Sequence, residues 1–152
     1  MYTTLQVIHV LAAAIWFGAA VALNIMLGRL SAAGDRAGQA VVTGQATWFG
    51  KSVFDPAAIV TLLAGVGMVL TSDGALSFGD LWITLGFTAV ILTLGIGHGM
   101  ITPTVGKLRS VIESEGPDSP NVGPLEKRIA MLSMLDILIL VVAIWAMVVK
   151  PG

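Results

Sequence analysis

The chain predicts an all-α fold, an integral-membrane four-helix bundle with the N and C termini outside. Three observations predict it. Four long runs are nearly free of charge: Leu5–Gly28, Pro56–Ser72 and Leu81–Gly106 carry none, and Ile129–Val149 carries only Asp136. Each run is about 17 to 26 residues, enough to cross a hydrocarbon core about 30 Å thick at about 1.5 Å per residue. Charged residues make up 11% of 152 positions, against about 25% in a soluble domain, and mean hydropathy is +0.91. Basic residues, finally, gather in two of the three links. Arg29, Arg36 and Lys51 lie between the first and second runs, and Lys107, Arg109, Lys127 and Arg128 between the third and fourth. The link Asp73–Asp80 has no Lys or Arg. The positive-inside rule therefore places both basic links in the cytoplasm.

Span 1 is expected over about 4–28 as a helix, because hydrocarbon leaves no other partner for backbone N–H and C=O groups. Its start lacks the basic flank of a signal peptide, and its apolar run continues past Trp16 to Gly28, so it reads as a retained span. The next link is rich in Ala, Gly, Gln and Thr. Val41, Val42, Trp48 and Phe49 make it a helical arm at the interface, with Trp48 at headgroup level. Asp55-Pro56 opens span 2, expected over 54–72, with Asp55 as N-cap or first-turn anion and proline at a position where it is tolerated.

Residues 73–80 form a turn before span 3, expected over 80–103 and broken or kinked at Pro103. A charged helical extension starts at Lys107, and Gly116-Pro117-Asp118-Ser119-Pro120 ends it. Span 4 is expected over 129–149. All four spans belong to a single domain. Gly95 and Gly99 form a small-xxx-small pair, and Ala12, Ala13, Ala19, Ala20 and Ala22 suit span 1 to close helix packing.

The chain has no cysteine, so disulfides, thiolate metal sites and iron–sulfur clusters are excluded. A formal charge of −1 gives no reason to propose nucleic acid as a partner. The partners implied are the lipid bilayer and either further copies of this chain or a larger membrane complex.

Ionisable groups inside a bilayer are costly and carry a functional hypothesis by default. On the outer side, His9 lies about 8 Å below the membrane edge. Trp16 stands two turns further down the same face, and Met68 and Met147 fall at comparable depth. Histidine with methionine is an axial pair for haem iron, and both residues also suit copper. The alternative is a histidine hydrogen-bonded to Gln6 or to a carbonyl, with the methionines as lipid-facing filler. On the inner side, His98, Asp136 and Asp55 share a depth. An Asp136–His98 pair would bind or relay protons or hold a cation; equally, it would neutralise itself and fix helix register. Asn24 either joins this cluster or makes an interhelical hydrogen bond. The two histidines, about 15 Å apart along the membrane normal, do not share a metal.

The run His9-Val10-Leu11-Ala12-Ala13-Ala14-Ile15-Trp16-Phe17-Gly18 resembles the opening of the first span in the HemJ-type protoporphyrinogen IX oxidases, the copper-resistance D membrane domain and a related uncharacterised four-span family. Leu81-Trp82, Gly97-His98-Gly99 and the ending Met147-Val148-Val149-Lys150-Pro151 agree with that group. The oxidases carry a lysine one turn after the span 3 tryptophan, where this chain has Thr84-Leu85-Gly86. Asn24-Ile25 replaces their Pro-Arg pair. The uncharacterised members are therefore the nearer likeness. The resemblance implies a bacterial inner-membrane bundle holding b-type haem, with His9 as ligand and metal site; depth sets Trp16 and Met68 or Met147 beside it as candidate partners. The alternatives are transport of a small cation or metabolite by an oligomer through Asp136 and His98, and a role as accessory subunit of a larger complex.

Overall fold

The computed structural model describes every residue from Met1 to Gly152, and it is helical throughout with no strand. Seven α-helices run in order: α1 (Tyr2–Ala32), α2 (Arg36–Gly44), α3 (Ala46–Phe49), α4 (Asp55–Leu70), α5 (Leu81–Ile96), α6 (Thr102–Glu115) and α7 (Val122–Val149). Two five-residue π turns join them, Gly50–Phe54 between α3 and α4, and Gly97–Ile101 between α5 and α6. Spans 2 and 3 are thus parts of two rods of 35 residues each, Arg36–Leu70 and Leu81–Glu115. Four helices are long and apolar enough to cross a membrane.

The bundle is built as two pairs, α1 on α4 and α5 on α7, closed by α1 against α7 and a narrower contact of α4 with α5. Its core is small and made mostly of small residues. Trp16 packs with Ala57, Ala58 and Leu140, and Phe17, Phe54, Val90 and Leu94 lie against them. Ala12, Ala20, Ala64, Ala89 and Ala146 are also buried, so the backbones approach closely, as helices do where lipid supplies no hydrophobic drive. Only 18 of 152 residues are buried, while Leu63, Leu70, Ile91 and Val148 are each more than 60% exposed. That outward apolar surface suits hydrocarbon and not water. The molecule is an all-α four-helix bundle of the multi-pass membrane type.

Local chemistry sets the ends. After α1, Gly34 takes φ +68°, and Asp35 caps α2 by accepting the Gly38 N–H at 2.8 Å. Residues 73–80 turn through Asp73 and Gly74, both at positive φ, and the Asp80 carboxylate accepts the Ser77 N–H at 3.0 Å. Gly116 at φ +88° stops α6, and Lys150 in the left-handed region stops α7 just before Pro151.

Several sequence expectations change. Span 4 lies within a helix that begins at Val122 rather than 129; Val122 is fully buried there, as is Leu108 of α6, the helix that α7 packs against at the basic end. Gln39 of α2 is buried at this end too, and Arg36 Nη1 pairs with Glu126 Oε2 at 2.6 Å. Pro103 neither breaks nor ends span 3; the helix widens ahead of it and continues to Glu115. Of the two roles expected for Asp55, it is not the N-cap, which is Phe54, but it does stand as an anion in the first turn of α4. Gly95 and Gly99 do not mediate contact within the bundle, for a Cβ on either would meet nothing within 4 Å.

The π turns have a visible cause. A proline stands just past the end of each, Pro56 and Pro103. Proline offers no N–H to the carbonyl four residues back, and its ring collides with that carbonyl in a regular helix. A wider turn relieves the clash. The Asp55 N–H bonds the Gly50 carbonyl and the Thr102 N–H bonds the Gly97 carbonyl, both five residues back.

Candidate functional sites: two cavities divided by Trp16

Two partly open cavities in the bundle gather the polar groups singled out above. One lies toward the end carrying both termini, the other toward the basic end. Trp16, itself buried, lines both and is the one residue they share.

The termini-side cavity has a volume of about 420 Å³, within the range of about 300–1,000 Å³ common for cofactor and ligand sites. Of its 22 lining residues 18 are hydrophobic, so a bound molecule here would be mainly apolar. His9, Trp16, Met68 and Met147, grouped by depth in the sequence, all line it. His9 is held from behind: its Nδ1 lies 2.8 Å from the Thr61 carbonyl oxygen of α4. A carbonyl only accepts, so Nδ1 carries the proton, and the neutral ring keeps its lone pair on Nε2. The ring rests over Gly65, where a Cβ would stand 3.4 Å from Nδ1 and Cε1. Across the cavity, the Met147 methyl occupies the notch left by Gly86, and a Cβ there would collide with it. Trp82 also lines the space, and Lys150 Nζ lies 5.1 Å from its ring centroid at the mouth.

Sequence reasoning passed over Thr61. It is the single polar side chain in the apolar stretch Ala57–Leu70, and it faces His9 from the neighbouring helix. Its buried hydroxyl has no hydrogen-bond partner within the protein. That lone hydroxyl in span 2, at the depth of His9, was the available signal.

The basic-side cavity is smaller, about 250 Å³, and half of its 24 lining residues are hydrophobic. It gathers the whole polar cluster read from the sequence, His98, Asp136, Asp55 and Asn24, together with Lys51, Thr93 and Ser133. The pairing differs from the expected one. His98 Nε2 meets Asp55 Oδ1 at 3.0 Å, and Asp136 is left out. The two π turns cause this, because they bring Asp55 and His98 to one level on neighbouring rods. The pair sits at the rim, with side chains 59% and 30% exposed for His98 and Asp55. Asp136 lies deeper, and its Oδ1 has no hydrogen-bond partner. Asn24 makes no interhelical bond: its Nδ2 donates to the Ala20 carbonyl of its own helix at 3.0 Å.

The donor set fits the group implied by the resemblance. One imidazole has its tautomer set by a carbonyl, two thioethers stand on other helices, and the walls are apolar and aromatic. No protein-family model, curated protein or solved structure matches this chain.

Proposed function

We propose that this chain is a bacterial inner-membrane protein that holds b-type haem, or a related redox ligand, in the termini-side cavity. His9 Nε2 is the proposed axial ligand, with Met68 or Met147 as the second. The observation that carries the reading is the hydrogen bond from His9 Nδ1 to the Thr61 carbonyl, which orients the ring and leaves Nε2 as the metal-binding atom.

Bound haem would supply one-electron transfer, its potential set by axial ligands and burial. The chain's own residues do the rest. Thr61 fixes the imidazole, and Gly65 lets the ring lie close to α4. Trp16, Phe17 and Phe87 exclude water from the cavity. Lys150, set over Trp82 at the mouth, offers a cation to acidic substituents of the ligand. Assembly with further copies or with a larger membrane complex supplies the electron partner in this reading.

The test is a reduced-minus-oxidised visible spectrum of the detergent-purified protein, before and after haem reconstitution. A Soret band that His9→Ala abolishes is the expected result. A preparation that stays colourless after reconstitution rejects the reading.

A further inference from the structure

We propose that the basic-side cavity binds a small organic cation, an ammonium group on a compact apolar or aromatic body, with Asp136 as its carboxylate partner. The proposal does not rest on the haem reading, which concerns the other side of Trp16.

The charged groups facing this cavity are four: Lys51 from the π turn after α3, Asp55 from α4, His98 from the π turn after α5, and Asp136 from α7. Asp55 is matched by His98. Lys51 is exposed and forms no ion pair. Asp136 is half-buried and has no partner, its Oδ1 shielded and unbonded. A carboxylate at this depth is costly until a cation or a proton meets it.

The lining selects the kind of cation. No group of three or more His, Asp or Glu side chains is arranged to hold a metal ion. An ammonium needs less: one carboxylate oxygen and neighbouring hydroxyls, which Thr93 and Ser133 provide. The rest of the wall is apolar and aromatic, with Trp16 as its floor and Phe54 and Leu94 beside it. An indole and a carboxylate lining one cavity favour an organic cation over a hydrated one. Asp55 and His98 satisfy each other at the exposed rim, so His98 does not compete for Asp136.

The test uses the full chain in lipid nanodiscs and calorimetric titration with benzylammonium and butylammonium, with benzyl alcohol as the neutral analogue. Saturable one-site binding of the amines is expected, with weaker or no binding of the alcohol. Asp136→Asn should weaken amine binding by about ten-fold or more, the loss of one charge-assisted contact. A second measurement leaves the chain unmutated: carbodiimide labelling of Asp136, read by mass spectrometry, should slow in saturating benzylammonium. Absence of saturable binding, equal binding of benzyl alcohol, or labelling of Asp136 unaffected by the amine each overturns the proposal.

Discussion

His98 and Asp55 meet at 3.0 Å between Nε2 and Oδ1, and each stands at the edge of a π turn. The two rods run antiparallel, yet both widen at the same level, Gly50–Phe54 in one and Gly97–Ile101 in the other, with a proline just beyond each. A histidine–carboxylate contact thus joins two irregularities with one steric cause. The link is local, because α4 and α5 otherwise touch little.

The pair should contribute modestly to stability and more to registration of the rods. Side chains this exposed are worth about 1 kcal/mol or less as a pair. A double-mutant cycle of Asp55→Asn and His98→Gln, read by unfolding in mixed micelles, should give a coupling of that size. A coupling several times larger would mean the pair is more enclosed than its exposure indicates.

The prolines should hold the π turns open. Pro56→Ala or Pro103→Ala restores an N–H and removes the ring clash, so the turn can tighten to α geometry. Tightening by one residue would rotate the remainder of the rod by up to about 100°. The chain has no native cysteine, so an Asp55→Cys, His98→Cys variant gives a clean crosslinking readout. Oxidative crosslinking should be efficient in that background and fall when either proline is replaced. An unchanged yield would show that tertiary packing, not proline, keeps the turns wide.

Gly86→Ala should separate fold from cavity. The new methyl group meets only the tip of the flexible Met147 side chain, which can swing aside. Stability should stay within about 1 kcal/mol of the parent, helped by alanine's helix propensity. The termini-side cavity should lose its Met147 wall, and a reconstituted haem spectrum should shift if that thioether is a ligand. Gly86→Leu, by contrast, should fill the cavity and block reconstitution.

Acid should loosen the turn between α6 and α7. Hydrogen bonds from Ser119 and Asn121 hold the Glu115 carboxyl below its ordinary range. A depressed folded value contributes stability above the unfolded carboxylate range and loses it as pH falls through the folded value. Protection factors at Ser119–Asn121, corrected for the intrinsic pH dependence of amide exchange, should therefore fall at low pH in the parent. Glu115→Gln should remove most of that pH dependence, and a dependence that persists would point to another group.

Much of this architecture was legible because lipid imposes a single rule on backbone hydrogen bonds. Uncharged runs located all four crossings, and depth alone put His9, Trp16, Met68 and Met147 into one cavity. The same reasoning failed on His98. Asp55 and Asp136 stand at one depth, and choosing between them requires the rotation of each helix about its axis, which depth does not encode. The π turns were hidden for a related reason. Proline signals that a helix is disturbed but not whether it breaks or widens. Thr61 shows a third limit, since its carbonyl, a group every residue has, is what orients His9.

Trp16 borders both chambers, and Ala57, Ala58 and Leu140 pack around it. Shrinking that side chain would remove the one lining residue the chambers share. A Trp16→Ala protein in sealed vesicles should therefore pass small solutes faster than the parent, and equal tightness would show that the neighbouring side chains close the gap.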